Sequence, residues 1–208
     1  ENIDCENENS CVYPEITNDL SECPPGPCNN QTSVTYQGYE YDIVEIGDQC
    51  WFAENCRYLP SVSPSSEGSE TEPFYYVYDY EGTDVEAAQT TSNYETYGVL
   101  YNWPAVISED LCPTGWHISF DEDWQNIEVY LGMSESDVLL TGWRGTDQGF
   151  QMKSITEWNN NFDGFSGNGS NSSGVNIFPG GYWVSSTGTE NMNNIAFFWT
   201  PSIDFEPF

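Results

Sequence analysis

Basic side chains are nearly missing from these 208 residues. Arg57, Arg144 and Lys153 are the only arginines and lysines, and His117 is the only histidine. A chain so poor in cations cannot neutralise a phosphate backbone, which excludes nucleic acid as a partner and disfavours anionic membrane surfaces. With a single histidine, no Ser-His-Asp order or Cys-His pair can be assembled with any pattern behind it. No run of about 20 apolar residues occurs, so no membrane insertion is expected. No repeat period appears either, which excludes a solenoid or propeller.

Acids fill the space left by the bases. Thirty-four Asp and Glu give a formal net charge of −31. Most carboxylates therefore have no basic partner, and their mutual repulsion opposes compaction unless salt or divalent cations screen it. Screening length falls from ~8 Å at physiological ionic strength to ~3 Å at 1 M salt, so a salty external medium suits this chain. Aromatic residues make up 16% of the chain and hydrophobic residues 38%, which argues against disorder and for a core built on Tyr and Trp.

Seven cysteines are present: Cys5, Cys11, Cys23, Cys28, Cys50, Cys56 and Cys112. Close N-terminal pairs with almost no histidine favour disulfides, and the spacings are loose for a zinc finger. Loop length favours Cys5–Cys11 and Cys23–Cys28, with Cys50–Cys112 as a third pairing, out of about a hundred schemes. The odd count leaves one thiol unpaired or paired outside the chain. Glu1 is not a start methionine, and the chain reads as a processed, secreted form.

Residues 1–33 are acidic and rich in Asn, Pro and Cys, without helical or strand period, and read as an arm or linker. A folded domain is expected over 34–208. Val34, Tyr36, Tyr39, Tyr41 and Ile43 flank Gln37-Gly38, a hairpin signal, and Gly47-Asp48 marks a second turn before Cys50-Trp51-Phe52. Residues 60–73 read as an exposed loop. Phe74 to Tyr80 is an aromatic run, with polar residues following to Tyr94. Ser119 and Glu122 fit a capping box, Phe120, Trp124, Ile127 and Leu131 share one helical face, and Gly132 stops the helix. A shorter helix is expected from Glu135 to Leu140. Beyond Gly142 only turns and short strands are expected, the best at 183–185 and 195–200.

Several ordered motifs carry a resemblance. They are Ile46-Gly47-Asp48-Gln49-Cys50-Trp51-Phe52-Ala53-Glu54-Asn55, Tyr97-Gly98-Val99-Leu100-Tyr101-Asn102-Trp103, and Cys112-Pro113-Thr114-Gly115-Trp116-His117. Gly142-Trp143-Arg144-Gly145-Thr146-Asp147-Gln148-Gly149, Ser173-Gly174-Val175-Asn176-Ile177-Phe178-Pro179-Gly180-Gly181 and Trp183-Val184-Ser185-Ser186-Thr187 complete the series. In this order, over about residues 34–199, they resemble the Fibrobacter succinogenes major paralogous domain. The resemblance implies an α+β, C-type-lectin-like fold: short antiparallel strands, one or two helices and a high loop content. Gly115 to Trp124 is also similar to the helix entry of formylglycine-generating-type domains, without matching positions for their catalytic cysteines. Such domains occur in secreted and surface-anchored bacterial proteins and generally carry no assigned activity. Three features depart from the family: Cys56 stands where leucine is usual, a loop between Gly181 and Tyr182 is lost, and the chain stops at Phe208, before the arginine–cysteine strand that usually ends the family, as a truncation or closure by a neighbouring chain would explain. The last would leave Cys112 or Cys50 without its usual partner.

Candidate sites are few. His117 precedes a helix and reads as a packed or backbone-bonded side chain. Asp121-Glu122-Asp123 read as first-turn acids facing the positive helix end rather than as acid–base catalysts. Trp143, Arg144, Asn159 and Trp183, near Gly- and Asn-rich turns, are the candidate ligand-binding residues. No cofactor is expected; calcium is the one ion whose oxygen-donor chemistry suits Asn159, Asn161 and Asp163, or Asp79, Glu81 and Asp84, although neither spacing is diagnostic. The expected role is an extracellular, non-catalytic recognition or adhesion module for a surface glycan or protein. The alternative is a self-associating subunit of an extracellular filament or sheath, its arm pairing with a neighbour's open sheet edge.

Overall fold

Alternating tyrosines and aliphatics from residue 33 form two consecutive hairpins. In the computed structural model, which describes residues 26–108 and 111–201 and the backbone of 4–7 and 10–12, β3 (Ser33–Tyr36), β4 (Tyr39–Ile46) and β5 (Gln49–Phe52) make one antiparallel sheet in the order β3-β4-β5. Tyr36 faces Tyr39 across the Gln37-Gly38 turn, and Ile46 faces Gln49 across Gly47-Asp48. Tyr41 and Ile43 are buried on one face of β4 in a period-2 pattern, and Ile46 is buried on the other face at the strand's end. Ahead of this sheet, β1 (Asp4–Asn7) and β2 (Ser10–Val12) pair antiparallel with Cys5 opposite Cys11, a hairpin where no period was expected.

No element was assigned to the polar stretch after Tyr80. It contains α1 (Val85–Gln89) and α2 (Ser92–Tyr97), two short helices set by their caps and not by amphipathic period. Asp84 Oδ1 accepts from Ala87 N at 3.1 Å, and Thr91 Oγ1 accepts from Tyr94 N at 3.2 Å. The next strand, β7 (Leu100–Tyr101), pairs with β6 (Tyr75–Tyr76), and α3 (Trp103–Val106) follows at once. Asn102 lies at the junction. Its Oδ1 accepts from Ala105 N (3.2 Å) and Phe74 N (2.8 Å), while its Nδ2 donates to Ser69 O and Glu72 O, both 2.8 Å. One amide thus caps a helix and pins the loop over 60–73, which is mostly exposed but buries Val62.

The long helix exists, one residue later than its caps suggested. α4 runs Asp121–Tyr130 with Phe120 as N-cap, and Asp123, not Glu122, reaches back to the Phe120 N–H at 2.8 Å. The expected helix over 135–140 is instead a single turn. Ser134 caps it through Asp137 N at 3.1 Å, but only Val138 is buried while Leu139 and Leu140 are exposed, so no packed face sustains propagation. Beyond Gly142 the described residues include a helix that was not expected, α5 (Gln148–Met152). The last hairpin is β8 (Tyr182–Val184) with β9 (Gly188–Glu190), one residue earlier than the strand expected at 183–185. Residues 195–200 form no strand; Ala196 makes an isolated bridge to Gly181.

The architecture is therefore α+β, with short antiparallel strands, a few short helices and much irregular chain. Two apolar clusters carry it. Leu59, Val62, Tyr75, Val77, Ala88, Val99 and Ala105 form one, and Ile46, Ile127 and Val175 form the other, backed by Trp51, Leu131 and Met152. Among the described residues no helix is long and apolar enough to cross a membrane.

The disulfide pattern corrects two expectations. Cys28 pairs with Cys50, not with Cys23, and Cys112 is a free thiol, not the partner of Cys50. The reason is packing around Glu45. Cys28 N donates to Glu45 Oε1 at 2.9 Å, and Glu45 lies opposite Cys50 in the β4–β5 register. The turn at 27–30 is thereby laid against the sheet beside Cys50. Cys23, and the side chains of Cys5 and Cys11, lie outside the described residues.

Candidate functional site

The sheet, the loop at 111–119, α4 and the segment 196–199 surround a cavity of about 920 Å³. Its lining draws on both apolar clusters, with Val99 and Tyr101 from one and Trp51, Val175 and Ile177 from the other. Aromatic rings form its walls. Phe52 stacks on Trp116 (centroids 4.6 Å apart, planes at 25°), Trp124 packs against Trp51 and Phe198 (both 4.9 Å), and Trp199 leans on Trp103 at 5.6 Å.

A polar chain runs along one wall. Trp51 Nε1 donates to Gln49 Oε1 (3.3 Å), and Gln49 Nε2 donates to Asp123 Oδ1 (2.8 Å). The other oxygen, Asp123 Oδ2, accepts the Phe120 N–H and lies 3.0 Å from His117 Nε2. Because a carboxylate only accepts, His117 carries its proton on Nε2. His117 is exposed and tilts over Phe120 at 5.4 Å, so it is neither packed nor backbone-bonded as expected. The three first-turn acids of α4 are where the helix dipole favours them, but Asp123 also orders this network.

One group in this wall is left without a partner. The Trp124 indole N–H is buried and has no hydrogen-bond acceptor among the described residues. An unmet buried donor costs about 1–3 kcal/mol.

The residues singled out from sequence lie elsewhere. Trp143 is fully exposed. Arg144 is half-buried and bound to Glu128 Oε2 through Nε (3.0 Å) and Nη2 (2.8 Å), so its charge is consumed internally. Asn159 Nδ2 donates to Asn194 Oδ1 at 3.2 Å. Trp183 is half-buried, stacked on Tyr76 at 5.0 Å and 9°, and donates to Ser65 O at 2.8 Å. None of these four lines the cavity. In the Asn-rich loop, Asn161 Oδ1 accepts from Asp163 N (3.1 Å) and Phe165 N (2.9 Å), so it is turned toward its own backbone. Glu81 accepts from Ser65 N and Oγ (2.9 and 2.6 Å), and Asp84 caps α1.

The other two cations are also used within the fold. Arg57 pairs with Glu54, donates to Glu95 O at 2.7 Å and lies 4.6 Å over the Tyr39 ring. Lys153 sits 4.1 Å over Trp158, and burial lowers its pKa.

Cavity residues that sequence reasoning did not single out include Gln49, Phe52, Trp116, Trp124 and Phe198. Four of the ordered motifs, Ile46 to Asn55, Tyr97 to Trp103, Cys112 to His117 and Ser173 to Gly181, do contribute much of the lining.

Comparison with protein families matches residues 44–207 to the Fibrobacter succinogenes major domain. The chain belongs to that family. Comparisons with curated proteins and with solved structures find no match. Motif after motif, the family's landmarks hold this architecture together: Asn102 joins β7 to α3, and Asn55 donates to Tyr97 O at 2.9 Å.

Proposed function

We propose that this Fibrobacter succinogenes major domain is an extracellular, non-catalytic recognition module with a C-type-lectin-like fold. Its ligand is an uncharged glycan bound in the aromatic cavity. The observation that carries this reading is the wall of aromatic rings, Phe52, Trp116, Trp124 and Phe198, around that cavity. Sugars offer C–H faces to such rings. A volume of about 920 Å³ lies within the range of small-molecule sites. The net charge of −31 disfavours anionic ligands. The Cys28–Cys50 disulfide supports an oxidising compartment outside the cytosol.

The test is titration of the full chain with neutral oligosaccharides from an array screen, read by tryptophan fluorescence and calorimetry. Phe198→Ala removes one reachable ring from the wall, so affinity should fall about tenfold, the worth of one ring contact. Trp116→Ala should abolish binding. No binding across the array, or unchanged affinity in both variants, would sink the reading.

A second reading, a subunit of an extracellular filament or sheath, has its own support. Leu139, Leu140, Trp143, Phe162 and Phe165 are exposed, and gathered into one contiguous patch they would offer an association surface. Sedimentation at high concentration and high salt decides it. A single monomer boundary argues against assembly.

A further inference from the structure

We propose that Cys56 and Cys112 form a second intramolecular disulfide, closing the cavity wall between the end of the sheet and the 111–119 loop. They are the two free cysteines among the described residues, both half-buried, and both line the same cavity. Each sits on a segment anchored independently of its sulfur. Cys56 O accepts the Val99 N–H at 3.0 Å, and the Tyr101 hydroxyl donates to Cys56 Sγ at 3.2 Å. The approach requires Gly98, whose φ is +71° and where a Cβ would stand 2.4 Å from Cys56 O. On the other side, Leu111 is buried, Trp116 N closes a turn on Pro113 O at 3.0 Å, and the Trp116 ring stacks on Phe52. Phe52 lies only four residues before Cys56, so the two segments meet at the end of β5. Burial pushes the Cys112 thiol up to about 11, and its next-largest perturbation comes from Cys56, which puts the two sulfurs within electrostatic reach. The Cys28–Cys50 bond marks an oxidising environment, in which such a thiol pair is driven to the disulfide.

The oxidant is a small-molecule disulfide such as oxidised glutathione. One cysteine thiolate attacks it and displaces one glutathione thiolate, giving a mixed disulfide. The second cysteine thiolate then attacks the protein sulfur of that mixed bond and releases the other glutathione. Two electrons pass from the cysteine pair to glutathione, and the two cysteine protons end on the two glutathione thiols. With Cys28–Cys50 and Cys56–Cys112 made, the odd cysteine of the seven falls among Cys5, Cys11 and Cys23. This crosslink is independent of what the cavity binds.

The full chain, purified folded and held in a glutathione redox buffer near pH 8, is denatured in alkylating reagent, cleaved at glutamate and analysed by mass spectrometry. The expected product joins the Cys56 and Cys112 peptides, about 2 Da lighter than their reduced sum, with neither cysteine alkylated. Alkylation of both overturns the proposal. So does Cys112 found joined to glutathione or to Cys5, Cys11 or Cys23. In Cys56→Ser, with fold checked by near-ultraviolet circular dichroism, Cys112 should become fully alkylated while Cys28–Cys50 persists; a Cys112 still blocked there overturns the assignment. Should that variant fail to fold, Cys112→Ser gives the same reading on Cys56.

Discussion

Asn102 shows how much one side chain can hold in a fold with little regular structure. Its amide makes four hydrogen bonds, two accepted and two donated, to α3, Phe74 and the 69–72 loop. Asn102→Ala removes a helix cap and strands two carbonyls, for a loss of roughly 2–4 kcal/mol from a cap term of about 1 and unmet groups of about 1–3. Thermal denaturation measures it, and a shift within error would show that water replaces the amide without loss. Asn102→Asp should recover the cap but not the two donated bonds, and so fall between. The Tyr97-to-Trp103 motif was conspicuous in the sequence for its residue types. Its purpose was not, because the partners of Asn102 lie about 30 residues upstream.

At the scale of elements, packing separates tryptophans that look alike in sequence. Trp183 on β8 is stacked on Tyr76 and tied to Ser65 O, whereas Trp143 is fully exposed. Trp183→Ala should cost about 3–5 kcal/mol by cavity formation, and Trp143→Ala within about 0.5 kcal/mol. Denaturant unfolding of the two variants checks the contrast. A large loss at Trp143 would mean that its ring is covered in solution, which favours the assembly reading. The hairpins β3-β4-β5 were legible because period-2 alternation and turn residues are local signals. Helices α1, α2 and α5 were not, since each has at most six residues and too few positions to display a 3.6 period. Their caps, Asp84 and Thr91, were the readable trace. The reverse error at 135–140 has the same origin: a good local cap at Ser134 with no partner surface to bury.

For the whole molecule, a core built on tyrosine sets the alkaline limit. Burial pushes Tyr76 and Tyr97 up to about 12, with Glu67 and Glu157 adding to each, and raises Tyr41, Tyr94 and Tyr101 as well. In the unfolded chain these phenols ionise near 10. The unfolded state therefore loses protons first, and stability falls as pH rises from about 10 toward 12. Cys112, raised from 9.0 to about 11, starts the same decline about one pH unit earlier in the reduced protein. Lys153, lowered by burial, acts in the opposite sense as a single group. Unfolding free energy measured from pH 8 to 12 should fall steeply above pH 10, with phenolate absorbance appearing as the protein unfolds. Normal tyrosine titration in a still-folded protein would contradict the buried hydroxyls.

By itself the amino-acid sequence determined the family, the α+β class with its central hairpins, the acidic field and the disulfide chemistry, because composition, alternation and ordered motifs are written locally along the chain. Tertiary structure alone decided which cysteines meet, which tryptophans are walls and which are surface, and that His117, Asp123 and Gln49 share one network. Those outcomes depend on contacts between residues far apart in sequence, such as Gln49 with Asp123 and Trp183 with Ser65, and no local pattern encodes a distance in space.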